Sequence, residues 1–463
     1  MKYRRIDDHA AGMTNSAGTR TPKIPMAMVD YVVVMCRALH ERLGTAVHIA
    51  TEDMSGAYRQ VPLPDSQVSL SITAVYNPNT QAADLFEIYG QPCGAAHAVP
   101  NFYRVAEFMS RLLTRGFHIL LDHFFDDFFL VDVPPCAKIS IFCVREVFAL
   151  LGFALDPDKS QVPAEVAHVL GVVFNTQSLA AQRLLLVEAK PSRRENFRLL
   201  VERIVAADCL TPSVAASLLG KFGFLCSTLF GKIGRCCAAA IRDRQYSVSS
   251  NTALTPTIRQ SLWLMTHLVS TSPPRHFHFG ESRPPLLLYT DASDVPERDE
   301  RFVVGGVLVE TEHGLRLEYF SWSVPLDVVR TWLPKQSYMG QLEIFAGPVA
   351  LATWGAEMDL RDVIHFVDND AAAACLVKGY SPKLDSSALV GEYWAHASKH
   401  RVNLYIDRVE SKSNLADGPS RLEFQLLENL HALKKPPVTP SVHVSPFTFP
   451  GAGAALPPCS PTG

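Results

Sequence analysis

The sequence predicts an α+β protein followed by an α/β domain. Three observations lead there. Two apolar runs, 117–125 and 128–133, are separated only by Asp126-Asp127, which is a hairpin pattern with acids at the turn. A long stretch from 185 to 243 reads as wholly helical. Beyond a Ser-, Pro- and His-rich segment at 271–285, a new apolar strand at 286–289 opens a second unit. The 463 residues suggest two to four domains, and the hydrophobic share of 48% is ample for their cores.

In chain order, residues 1–46 begin basic and turn-rich and become helical from about 27 to 43. Residues 47–50 read as a strand leading into Thr51-Glu52-Asp53. Phe102, Val105, Met109, Leu112 and Leu113 form a helical stripe that Gly116 closes as a C-cap. After the hairpin, a second amphipathic helix runs from about 137 to 151 and ends at Gly152. The helical stretch carries Lys190, Arg193, Arg194, Arg198 and Arg203 on its way to a linker over 271–285. Residues 436–463 are rich in Pro, Ser, Thr and Gly and are expected to be disordered.

The formal net charge is -3, whereas nucleic-acid binders usually carry a basic surplus. Clustered acids can mask a local basic groove, so the class stays open. The ten cysteines form no repeated CxxC pairs, which speaks against a zinc site or a disulfide framework and for thiols in a reducing compartment. The N-terminus has no apolar signal region, and no apolar run is long enough to span a bilayer. The expectation is a soluble, intracellular protein of cytoplasm or nucleus, with no membrane association.

Two carboxylate sets carry the chemistry. Nucleotidyl transfer uses two divalent cations about 3.5–4 Å apart. Mg²⁺, a hard ion, prefers carboxylate and phosphate oxygens. Asp126 at the hairpin and Asp53 at the end of a neighbouring strand are the minimum set that could hold such a pair. Consecutive acids between apolar strands are unfavourable without cations nearby, which is a reason to suspect function. Taken singly, Asp-Asp is also an ordinary turn dipeptide and Asp53 could be a helix N-cap.

Order and context carry the case further. The segment from Asp53 to Leu63 resembles motif A of reverse transcriptases. The resemblance makes Asp53 a metal ligand and Tyr58 a steric gate beneath the incoming sugar; core packing is the other reading of Tyr58. Tyr89-Gly90, followed by Ala98 to Arg104, resembles motif B, in which the glycine lets backbone approach template–primer and nucleotide; a lone Gly90 would otherwise be a turn. Phe124-Phe125-Asp126-Asp127 resembles motif C, with Phe124 where Tyr is usual. Leu151-Gly152-Phe153 with Lys159 resembles motif D, whose lysine protonates pyrophosphate; a solvated lysine is the alternative. Val169-Leu170-Gly171-Val172 resembles the primer-grip hairpin, and Lys2 to Asp7 the fingers strand in which Arg4 would contact the triphosphate. By the same resemblance the basic helical stretch becomes thumb and connection, with phosphate contacts that carry no sequence information.

The second set is Asp291 at the end of the apolar strand 286–291, Glu343 opening a helix, Asp368 after the strand 363–367, and Asp417 in Asn414-Leu415-Ala416-Asp417-Gly418-Pro419-Ser420-Arg421. Each acid alone could be a cap or a surface carboxylate. As an ordered set over residues 284–425 they resemble retrotransposon RNase H domains, especially those of DIRS-type and similar elements, with Gly305 to Leu308 as the second strand. His400 falls roughly where some members carry a catalytic histidine.

The resemblance implies a right-hand polymerase followed by an α/β RNase H-like domain. Its parts would be partial fingers (1–46), palm (47–182), helical thumb/connection (183–270), linker (271–285), RNase H-like domain (286–435) and tail (436–463). The palm would be an antiparallel sheet with helices on one face. Asp53 and Asp126, with Asp127 in support, would hold two Mg²⁺; Asp291, Glu343, Asp368 and Asp417 would hold another two, with Mn²⁺ able to substitute. The implied partners are RNA template, DNA primer, RNA–DNA hybrid and dNTPs, with a parent polyprotein or an oligomer left open. Motif A starts at residue 53, earlier than in complete members, so the chain is expected to begin inside the fingers, as a truncated gene model, a fragment of a polyprotein or a decayed copy. No protease, integrase or recombinase signature accompanies it. Two rivals follow: a catalytically inactive, truncated element-derived nucleic-acid-binding protein, and a nuclease in which only the RNase H half works.

Overall fold

The structure is a computed structural model that describes residues 15, 24, 28–280, 283–295 and 301–440. Arg4, residues 296–300 and the tail beyond residue 440 lie outside the described residues. The chain divides into two compact units, one of residues up to 187 with Phe277–Phe279, the other of residues 188–276 and 280 onward.

The first unit opens with the Val29–Leu43 helix, which Gly44 ends at φ 63, its N–H bonding His40 O at 2.7 Å. Strand β1 (His48–Asp53) follows, then an isolated, mostly exposed hairpin of β2 (Ile72–Asn77) and β3 (Ala82–Glu87). β4 (Leu121–Phe124), β5 (Asp127–Asp132) and β6 (Gln161–Ala164) complete a sheet of order β4-β5-β1-β6. β1 is central and antiparallel to both neighbours. Alternation along the strands sets its faces. Ala50, Leu121, Phe128 and Leu130 share a core with Phe102, Ala106 and Met109 of the Ala98–Arg111 helix and with Ile141, Val144 and Phe148 of the Pro134–Leu150 helix. Ile49, Phe129 and Val131 alternate with them and are buried too.

Three local expectations change here. The turn of the β4–β5 hairpin is Phe125-Asp126, so Asp127 is the first residue of β5 and not a turn residue. Gly116 does not cap the preceding helix: the chain passes through a π-turn over Leu112–Gly116, and His118 takes the left-handed φ of 55. Gly152 does end the Pro134–Leu150 helix, with φ 81. β7 (Val166–Val169) and β8 (Val172–Asn175) form a hairpin through Leu170-Gly171, both at positive φ (51 and 79), as a two-residue type I′ turn requires. β9 (Leu184–Ala189) and β10 (Arg275–His278) extend that sheet in the order β10-β9-β8-β7. The stretch from 185 is therefore not wholly helical, and the expected linker at 271–285 contains a strand.

In the second unit, β11 (Leu286–Asp294), β12 (Phe302–Glu310), β13 (Arg316–Ser323), β14 (Asp362–Val367), β15 (Asn403–Arg408) and the short β16 (Leu433–Lys434) make a mixed sheet of order β15-β14-β11-β12-β13-β16. β11, β14 and β15 are parallel to one another, while β11–β12–β13 is an antiparallel meander. The Met339–Trp354 and Leu384–Lys399 helices share one core with the sheet and with the Pro191–Ala206, Pro212–Cys226 and Pro256–Thr271 helices. The helical stretch expected as a domain of its own thus shares a unit with the α/β sheet.

A buried polar chain ties the sheet to its helices. The fully buried His365 of β14 meets Thr290 Oγ1 of β11 and the Tyr393 hydroxyl, each at 2.8 Å. Burial pushes its pKa down to about 3, so the ring is neutral in the fold. An unfolded histidine titrates near ~6.5. The stability that depends on neutral His365 is therefore complete above ~6.5 and lost as pH falls toward 3, by up to about 1.4 kcal/mol per pH unit. His365→Gln is expected to cost about 2 kcal/mol at pH 7.5 through its two buried hydrogen bonds, with the gap to wild type closing as pH drops below 6.5. Urea unfolding across pH checks this, and a gap that is constant or widens in acid contradicts it.

Candidate functional site

The first acid set gathers at the end of β1. Asp53 pairs in register with Asp127, which in turn faces Phe124 across the hairpin. The turn is strained: Phe125 has φ 52, a conformation that costs a non-glycine residue roughly 1–2 kcal/mol. His123 holds it from beneath. This nearly enclosed ring lies on Phe128 at 5.3 Å, with Nδ1 at 3.2 Å from Phe125 O and Nε2 at 3.4 Å from Glu107 Oε2. Met54 N–H donates to Asp126 O at 3.0 Å, and Asp156 N–H donates to Asp53 O at 2.8 Å, so backbone on both sides fixes the acids.

Lys159 donates to the Asp53 carboxylate and stands 3.9 Å from Asp156 Oδ2. The Asp127 carboxyl is pushed up to about 7, first by desolvation, then by its hydrogen bond with Asp53 and the charges of Asp126 and Asp53, against the pull of Lys159. Beside Asp53, the buried Glu52 pairs with Arg145 Nε at 2.7 Å and accepts from Ser160, which locks β1 to the following helix.

Tyr58 lies in a short 3₁₀ turn, Ala57–Gln60, with its ring 5.0 Å from Phe102. Burial raises the pKa of its phenol, and the charge of Asp126 raises it further. Gly90 packs onto that turn: a Cβ there would lie 2.2 Å from Arg59 O. The glycine is demanded by the chain's own backbone next to Tyr58, a closer constraint than the template approach expected of it. Tyr89 faces outward, 67% exposed, its hydroxyl donating to Glu87. Gly90→Ala is expected to destabilise the first unit by about 1–3 kcal/mol, the usual range for overpacking, with the Tyr58 turn displaced. Denaturant unfolding measures it; an unchanged midpoint contradicts it.

The second set is tighter. Asp291 on β11, Glu343 in the second turn of the Met339–Trp354 helix and Asp368 just past β14 bring ligand oxygens within 4.8 Å of one another. Asp291 and Glu343 are buried. Burial, then the charges of Asp291 and Asp368, pushes Glu343 up to about 9. Burial also raises Asp291 to about 7, with Ser420 opposing and Asp368 and Asp417 adding to the rise. One oxygen, Glu343 Oε2, is enclosed without a hydrogen-bond partner. Buried polar atoms are rarely left so. Converging carboxylates with an unsatisfied oxygen fit a hard divalent cation, and the triad could hold a metal ion.

Asp417, expected as the fourth ligand, does not join the triad among the described residues; its carboxylate accepts from Arg421 Nε at 2.8 Å. His400 is placed away from the triad. It packs against Gly355, past the far end of the Met339–Trp354 helix and about 18 Å along the axis from Glu343 at 1.5 Å per residue. Sequence reasoning missed His123, Glu107 and the role of Ser420. A histidine inside the apolar run 117–125 was the one available signal for the first of these.

No protein-family model matches the chain, and no curated protein matches it either. Among solved structures it is similar to a foamy viral protease–reverse transcriptase in complex with double-stranded DNA, with TM-score 0.45 and 12% identity over 88% of this chain and 63% of that one. It is also similar to a foamy viral protease–reverse transcriptase in complex with an RNA/DNA hybrid, with TM-score 0.38 and 11% identity over 81% of this chain and 67% of that one. The chain thus spans less than two thirds of the first of these.

Proposed function

We propose that the chain is an RNA-directed DNA polymerase with an associated RNase H, from a retrotransposon of DIRS-type or a similar element. The observation that carries the reading is the pairing of Asp53 with Asp127 beside Asp126 in one unit, while a separate acid triad forms in the other. At the first site, Asp53 and Asp126 would hold Mg²⁺ and Asp127 would support them. Tyr58 would limit the sugar pocket, and Lys159 would carry a proton to the leaving pyrophosphate. At the second site, Asp291, Glu343 and Asp368 would hold the cations and orient a water toward an RNA phosphodiester. Bound divalent cations supply charge neutralisation at the phosphoryl oxygens and an activated oxygen nucleophile.

The test is extension of a DNA primer on an RNA template by the purified chain with dNTPs and Mg²⁺, run with and without an added upstream fingers segment. No extension in either form sinks the polymerase half of the reading.

One observation favours a second reading, a nuclease working through the RNase H half alone. Only the second set forms a triad among the described residues, and Lys159 bonds Asp53 at the first. Hybrid cleavage without extension would select it.

A further inference from the structure

The segment that closes the second site reaches Asp291 through a residue other than its acid. Ser420 is fully buried, and its Oγ donates to Asp291 Oδ2. That Oγ also lies 2.9 Å from Asp417 O, but a hydroxyl has one proton and the charged acceptor makes the stronger bond. The surrounding contacts clamp the strand on both sides of Asp291. Asn414 Nδ2 donates to Thr290 O at 3.1 Å, and Ser293 Oγ donates to Ser420 O at 2.6 Å. Across the sheet Gly305 leaves the room this needs, since a Cβ there would sit 2.6 Å from Ser420 N. Asp417, three residues earlier in the segment, pairs with Arg421, and its charge also acts on Asp291.

We propose that Ser420 is a positioning residue for cation binding at the triad, its hydroxyl fixing the Asp291 carboxylate toward Glu343 and Asp368. This rests on the reading of the triad as a cation site. Residues that orient a metal ligand from behind typically contribute 10- to 100-fold in affinity.

The test is Mn²⁺ binding to the full chain, followed by electron paramagnetic resonance. The portion lost in Asp368→Asn defines the triad. Ser420→Ala is expected to weaken that portion by about 10- to 100-fold. Ser420→Thr keeps the hydroxyl and is expected to bind within about threefold of wild type, which separates positioning from packing at a buried site. Ser420→Ala binding like wild type, or Ser420→Thr failing along with Ser420→Ala, would each overturn the proposal. Mn²⁺ bound as expected but no hybrid cleaved would sink the functional reading alone. A wild-type chain with no Asp368-dependent Mn²⁺ site sinks both.

Discussion

Asp126→Asn is expected to reduce primer extension by about 10³-fold or more and to leave hybrid cleavage within about twofold. The size follows from charge. A carboxylate that anchors a divalent cation supports several kcal/mol of transition-state stabilisation, and each 1.36 kcal/mol is tenfold in rate. The specificity follows from geometry. Asp126 is the second residue of the hairpin turn, and its contact with Met54 is through backbone carbonyl, which asparagine keeps. The strained Phe125 and its brace from His123 and Glu107 are untouched. Asparagine also removes a charge that acts against ionisation of Asp127, so the metal-free variant should melt no lower than wild type and loss of extension reads as loss of a ligand. Steady-state extension on an RNA template checks it, and extension that survives within tenfold contradicts the assignment of Asp126.

Asp368→Asn is expected to do the converse, removing hybrid cleavage by about 10³-fold on the same arithmetic and leaving extension unchanged. It also has a second expected effect, of opposite sign, on stability. In the metal-free protein the charges of Asp368 and Asp417 both act against ionisation of the buried Asp291, whose carboxyl is pushed up to about 7. Neutralising Asp368 removes one of these repulsions, so the metal-free variant should melt higher than wild type. Mg²⁺ should raise the melting midpoint of wild type more than that of the variant, because ligand binding stabilises only a fold that can bind it. A variant that melts lower without metal, or gains as much from Mg²⁺ as wild type, contradicts the triad as a cation site.

The frame of the fold was legible in the sequence where apolar periodicity is strong. The β4–β5 hairpin, the helices on either side of it and the parallel strands β11 and β14 all follow from runs whose partners lie close by or repeat a pattern. β9 was not legible, because a short apolar run such as Leu184 to Val187 reads equally as strand or helix until its neighbours are known. The acids themselves were found by their order along the chain. What holds them was not. Ser420 and Asp291 are far apart in sequence, as are Asn414 and Thr290, and serine or asparagine in a turn-rich segment gives no hint of such a partner. The same limit explains Gly90 and Gly305, whose lack of a side chain answers to backbone brought close only by the fold. The pairing of Asp417 with Arg421 was likewise not legible from the order of acids along the chain.

Two independent carboxylate sites in one chain is the central claim, and a crossed assay tests it most directly. A DNA primer carrying one label on an RNA template carrying another is incubated with wild type, Asp126→Asn and Asp368→Asn in Mg²⁺, and primer length and template length are read from the same lanes. The account predicts that Asp126→Asn still cuts a preformed hybrid without lengthening the primer, and that Asp368→Asn lengthens the primer without cutting the template. Folded variants in which either substitution abolishes both activities, or neither substitution abolishes one, would contradict it.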